Sequence, residues 1–180
     1  MKESRRKRHC ISHDNVVVVG RYAYTTDLYG LTGLDLADPS APSVVGHRGG
    51  FGGVRTAVSG DLALVCDLYG YRVVDLSDPA DPTVVAFESS PAPVDAALQG
   101  SLGYVVGGTE LTILDLANPA DPVERGMLNL GGNVAAVTVS GNLALVSGLV
   151  AGVCAWMSAI PTTRSCSAAS RRPAPVATSP

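Results

Sequence analysis

At 180 residues the chain is long enough for one domain, and 46% hydrophobic content with only 16% charged residues argues against wholesale disorder. A formal charge of −3 disfavours nucleic acid or an anionic membrane as the general partner. Val16 to Val19 is the longest early aliphatic run, far too short to cross a bilayer, so no membrane span is expected.

The chain opens on a basic stretch, Lys2, Arg5, Arg6, Lys7, Arg8 and His9. An export signal would need about 7–15 apolar residues next, and Ile11-Ser12-His13-Asp14 interrupts that. A basic arm would add non-specific phosphate attraction, but no specific nucleic-acid contact. Residues 1–13 are therefore expected to be a disordered basic tail, and a start codon further upstream is an alternative.

From residue 14 the chain repeats itself. Asp35, Asp75 and Asp115 recur 40 residues apart, and Gly20, Gly60, Gly100 and Gly141 recur 40, 40 and 41 apart. Each of the first three glycines precedes its aspartate by 15 residues. Two landmarks sharing a period near 40 point to a solenoid or a propeller. The units run over about 14–48, 53–89, 93–129 and 133–156. In the second, Val54–Val58, Leu62–Cys66, Tyr71–Leu76 and Thr83–Phe87 are short Val- and Leu-rich runs. Ser59-Gly60-Asp61, Tyr69-Gly70 and Ser77-Asp78-Pro79-Ala80-Asp81-Pro82 break them. Gly admits positive φ, Pro cannot donate to a ladder, and Asp before Pro starts a turn on its own backbone. No window offers apolar residues at helical spacings of three and four over a helical length without a Gly or Pro inside it. Four short strands per 40 residues predict an all-β fold, a partial β-propeller of about three complete blades and part of a fourth.

The pattern Leu/Tyr-x-x-x-Asp-Leu-x-Asp/Asn-Pro-x-x-Pro stands at Leu31–Pro42, Tyr71–Pro82 and Leu111–Pro122. Tyr22-Ala-Tyr-Thr, Leu62-Ala-Leu-Val and Leu143-Ala-Leu-Val form the strand before it. Over roughly residues 14 to 153 the chain resembles the LVIVD repeat of bacterial propeller-like proteins. The resemblance implies a repeat scaffold, often exported or surface-associated, and no particular reaction.

The fourth unit breaks the pattern. After Leu143–Val146 a third strand ending in Asp is due, but the chain gives Gly152-Val-Cys-Ala-Trp-Met-Ser-Ala-Ile-Pro-Thr-Thr-Arg-Ser-Cys166. Trp is encoded only by TGG and Met only by ATG, so the frame starting on third bases reads GAT, Asp, across Trp156-Met157. Permitted codons in that frame spell Val-Asp-Val-Ser-Asp-Pro-Asp-Asn-Pro-Val-Val, the missing motif. A frameshift near Cys154 is the expectation, with residues 157–180 an out-of-frame Ser/Ala/Pro/Arg-rich tail and the chain a truncated fragment of a larger repeat protein. Blades bury both faces against neighbours, so an open array should be marginally stable or self-associate through its terminal blades.

Candidate chemistry is sparse. Asp35, Asp38, Asp75, Asp78, Asp115 and Asn118 would suit calcium only if they converged, and each pair sits in its own repeat beside Pro. Turn chemistry is the expectation, with no metal and no cofactor. Cys10, Cys66, Cys154 and Cys166 lack metal-ligand spacing and are read as structural or incidental thiols. His9, His13 and His47 form no nucleophile motif, and Gly49-Gly50-Phe51-Gly52-Gly53 precedes a strand, which suits an inter-blade linker rather than a phosphate loop. No enzymatic activity is expected. Five residues before each marker glycine lie Asn15, Arg55, Asp95 and Ala136. If the first strand is innermost, Asn15, Arg55 and Asp95 ring a channel mouth as ligand-binding residues; mutual pairing of Arg55 with Asp95 across blades is the alternative. The function expected is a non-catalytic scaffold binding a protein or ligand there. The alternatives are part of a propeller hydrolase or lyase, or a cation-dependent surface adhesion module. The coding DNA tests the frameshift: Ser158 is expected to be TCA and Ile160 ATC, and any other codon at either position removes the hidden motif.

Overall fold

Where Val- and Leu-rich runs meet Gly and Asp-Pro breakers, the chain folds as antiparallel strands. The computed structural model describes residues 15–90 and 92–148, and the backbone of 152–157. Blade one is β1 (Asn15–Val19), β2 (Tyr22–Asp27), β3 (Gly30–Asp35) and β4 (Ser43–Gly49). Blade two is β5 (Gly53–Ser59), β6 (Leu62–Asp67), β7 (Gly70–Asp75) and β8 (Thr83–Ser89). Blade three is β9 (Pro93–Gln99), β10 (Leu102–Gly107), β11 (Glu110–Asp115) and β12 (Val123–Asn129). Blade four shows β13 (Val134–Ser140), β14 (Leu143–Gly148) and β15 (Gly152–Met157). Strands pair strictly in chain order within each sheet. No described helix is long and apolar enough to cross a membrane.

The recurring glycines have one job. Gly20, Gly60, Gly100 and Gly141 have φ of +58°, +57°, +58° and +56°. Each is the first of two loop residues between paired strand ends, as in Val19↔Tyr22 and Ser59↔Leu62. Positive φ at that position is the hairpin turn whose twist matches its strands. The Asp-Pro turns repeat just as closely. Ala41, Asp81 and Asp121 donate their amides to the carbonyls of Asp38, Asp78 and Asn118 at 3.0, 3.0 and 3.1 Å. Leu36, Leu76 and Leu116 bond back to the carbonyls of Arg21, Asp61 and Ser101.

The first strand of each blade is innermost: β1 abuts β5, β5 abuts β9 and β9 abuts β13. The core is accordingly divided among the inter-blade spaces. Tyr24 and Leu31 of blade one pack on Ala63, Val65, Val74 and Leu76 of blade two. Leu64, Cys66, Tyr71 and Val73 pack on Ala96, Val105, Leu114 and Leu116. Tyr104, Val106 and Leu111 pack on Val134, Val137, Ala144 and Val146. One close approach explains a small residue: a side chain at Gly46 would collide with the carbonyl of Pro79 in the next blade's turn.

The fourth blade is partial, as the sequence leads one to expect: its sheet has three strands among the described residues. Gly152–Met157 does form a third strand, paired with β14 from Gly148↔Gly152 to Leu143↔Met157. It runs one residue past the expected limit of 156. Met157 stands opposite Leu143 where Asp35 stands opposite Tyr22 and Asp115 opposite Leu102. Antiparallel pairing needs only backbone amides and carbonyls, so the strand forms without the terminal Asp. The basic tail, residues 158–180, Cys10, Cys166, His9 and His13 lie outside the described residues.

Leu64 is fully buried between blades two and three. Leu64→Ala should cost about 2–5 kcal/mol by urea denaturation, through lost transfer energy and a residual cavity; a loss below about 1 kcal/mol would mean this interface is not a packed core.

Candidate functional site at the channel mouth

Five of the six acidic or amide side chains considered for calcium accept close backbone amide bonds two residues on. Asp35 takes the amide of Ala37 at 2.7 Å, Asp38 that of Ser40 at 2.9 Å and Asp75 that of Ser77 at 2.8 Å. Asp78 takes Ala80 at 2.9 Å and Asp115 takes Ala117 at 2.8 Å, while Asn118 reaches Ala120 at 3.4 Å. Two gain arginine partners: Arg21 Nε bonds Asp35 at 3.0 Å, and Arg125 Nε bonds Asp115 at 3.1 Å. The arginine first and the amide second hold both carboxyls below the ordinary carboxylate range. Asp38 is lowered by the Ser40 hydroxyl and then by the Ser40 amide. These groups are the stabilisers of the β3–β4 type turns, at the end of the blades away from the inner-strand polar residues.

At the opposite end the structure places Asn15, Arg55, Asp95 and Ala136 at equivalent points on β1, β5, β9 and β13, opposite Thr26, Cys66, Val106 and Ser147. In blades two to four the register shifts immediately before this point, between Gly53 and Arg55, beside Asp95, and between Val134 and Ala136. Such a bulge re-aims the side chain that follows it. The three polar residues each reach the next blade. Asn15 Nδ2 donates to the carbonyl of Thr56 at 2.7 Å. Asp95 Oδ2 accepts the amide of Val137 at 2.9 Å. Arg55 Nε lies 3.9 Å from Asp95 Oδ1, so the cross-blade pair weighed from the sequence is present, as a loose one. Arg55 keeps 42% of its side chain exposed against 16% for Asp95. Ala136 is exposed and brings no polar group.

Sequence reasoning missed the neighbours of this cluster. Asp27 accepts the amides of Tyr29 and Gly30 at 2.7 and 3.0 Å, and Asp67 those of Tyr69 and Gly70 at 2.7 and 2.9 Å. These turns thrust Leu28, Tyr29, Leu68 and Tyr69 into solvent, 62–73% exposed, at the same end as Asn15 and Arg55. Asp67 is itself buried and also accepts Arg72 Nε at 2.8 Å. Arg72 lies over Phe51 and Phe87, 5.1 and 4.3 Å from the ring centres. A cavity of about 130 Å³ opens here, lined by Leu28 of blade one, Phe51 of the inter-blade linker, and Val54, Leu68, Tyr69 and Arg72 of blade two. The Asp-Leu-Tyr-Gly stretch occurring at both 27–30 and 67–70 was the available signal. Cys66 is buried and free, its thiol pushed up to about 12 by burial and then by Asp95 and Asp67, which suits a core residue rather than a nucleophile.

Three four-stranded antiparallel blades and a three-stranded fourth, packed one on the next through their innermost first strands, define a β-propeller-type repeat protein. Within that class the chain belongs to the LVIVD repeat family: the LVIVD repeat model matches residues 12–47, 54–87 and 94–129. No curated protein sequence gives a significant match. Solved structures share the fold at low identity. The computationally designed Ika4 protein aligns with a TM-score of 0.65 at 10% identity, over 84% of this chain and 94% of that one. U3-55K aligns at 0.68 and 14%, over 83% of this chain and 50% of that one. BamB from Moraxella catarrhalis aligns at 0.65 and 13%, over 81% and 44%. The chain thus spans nearly all of the first and about half of the other two.

The lowered carboxyl pKa values of Asp35, Asp38 and Asp115 fix the sign of an acid dependence. A carboxyl lowered on folding stabilises above its unfolded value and loses that contribution as pH falls through the folded one. Their contribution to the thermal midpoint should be constant from neutral pH to about 5 and decline below about 4. An Arg21→Ala, Arg125→Ala double variant should show a shallower acid decline; an unchanged slope would mean these pairs do not couple to folding.

Proposed function

We propose that the chain is a non-catalytic repeat scaffold, part of a larger LVIVD repeat protein, whose channel-mouth end binds a protein or small ligand. The observation that carries this reading is convergence. Asn15, Arg55 and Asp95 come from three successive blades to one end, where Leu28, Tyr29, Leu68 and Tyr69 also stand exposed. Exposed aromatic and aliphatic side chains beside a polar group with partial exposure are the usual anatomy of a protein-binding patch, in which a few anchors supply most of the affinity.

The non-catalytic part of the proposal is supported by how the polar groups are used. The repeated aspartates are engaged by their own turns, and His47, on the outer strand β4, shares a 3.0 Å hydrogen bond with Thr32.

A displayed random-peptide library provides the test. Peptides selected on the full chain should bind at least about tenfold more weakly to Arg55→Glu and to a Leu68→Ser, Tyr69→Ser double variant. They should bind unchanged to Arg125→Ala, which alters the opposite end. Selected peptides indifferent to both channel-mouth variants would reject this end as the binding surface.

A further inference from the structure

The three inter-blade contacts are one interface used three times. Thr56 Oγ1 meets Thr26 Oγ1 at 3.1 Å between blades one and two. The strand registers put Cys66 and Ala96 at the same two positions between blades two and three, and Val106 and Val137 between three and four. Each of those pairs shares a core cluster. Extended to the two ends of the array, the same registers single out Ser147 on β14 and Val16 on β1.

Burial shows what the first blade lacks. Val16 and Val18 are each 60% exposed, whereas the residues equivalent to Val16 in the other blades, Thr56, Ala96 and Val137, are 3%, 8% and 7% exposed. Leu34 and Leu36 on the same face are half-buried, where their counterparts Val74 and Leu76 are buried. Ala23 and Thr25 on β2 are buried, but the opening continues to β4, where Val44 is 66% exposed and its counterpart Val84 is partly buried. Among the described residues, no contact like that of β9 with β13 joins β13 back to β1.

We propose that the stripe is filled by a second copy of this chain: the fourth blade of each copy stacks on the first blade of the other, and the two arcs close one ring about a two-fold axis. The chain's own interior supplies the fit, since the surfaces brought together repeat a contact already made three times. Such a head-to-tail contact must either close or propagate as a filament. Closure by two is favoured by the size of the arc, which spans 50% and 44% of two larger propeller structures. The proposal concerns the side faces of the blades in this 180-residue chain by itself, since further blades in a larger protein would fill the same stripe, and it does not rest on ligand binding at the mouth.

Sedimentation equilibrium of the full chain should give a species of two chains. Val16→Asp, which would bury an unpaired carboxylate between apolar faces, should weaken association at least about tenfold while the β-sheet circular dichroism is retained. Should that variant fail to fold, Ser147→Asp asks the same question from the other face. The contact itself is read by disulfide formation, in a background with Cys10, Cys154 and Cys166 replaced by Ser. Chains carrying Val16→Cys, mixed with chains carrying Ser147→Cys, should oxidise to a linked pair, and a Leu28→Cys with Leu68→Cys mixture should not. A monomer, a ladder of larger species, or a dimer that gives no 16–147 disulfide would each overturn the proposal.

Discussion

Every other feature of this chain depends on the burial of one blade's face against the next. A four-stranded sheet of this size, with both faces apolar, has no core of its own. Its hydrophobic residues become a core only where Leu64, Tyr71 and Val73 of one sheet meet Ala96, Val105 and Leu114 of another. Stability is therefore a sum over interfaces rather than a property of any sheet. Small residues sit where the approach is tightest, as at Gly53, whose absent Cβ would stand 2.6 Å from that of Thr26.

The same constraint places the polar groups. Inner strands are nearest one another, so a polar side chain there meets the neighbouring blade before it meets anything else. Asn15, Arg55 and Asp95 all make such contacts, to a carbonyl, a carboxylate and an amide in turn. Their structural contacts and their candidate binding role draw on the same geometry. At the other end, Asp and Asn hold turns against their own backbone, and their repetition reflects repeated local geometry rather than a shared site.

Much of the fold was legible because its signals are local and recur. Gly at a hairpin, Asp-Pro after a third strand and a period near 40 each report a backbone requirement that a single residue type meets. The innermost position of the first strand followed from the architecture and placed Asn15, Arg55 and Asp95 at one end. The buried Asp67–Arg72 pair was not legible. Nothing in the spacing of Asp67, Phe51, Arg72 and Phe87 shows that an arginine will lie between two rings, since Phe51 and Phe87 arrive from a linker and an outer strand. The third strand of blade four was legible only as part of an incomplete blade. Its side-chain pattern departs from the repeat, while the backbone pairing that forms it is indifferent to that pattern.

Near-identical repeats face a sorting hazard, since a sheet could seat itself beside the wrong sibling during folding. The hydroxyl pair Thr26 and Thr56 sets one junction apart from the other two. Both are buried, and in the matching spot the later spaces hold Cys66 with Ala96 and Val106 with Val137. A mismatched neighbour would strand a hydroxyl among methyl groups, so this one polar contact favours blade two as the neighbour of blade one.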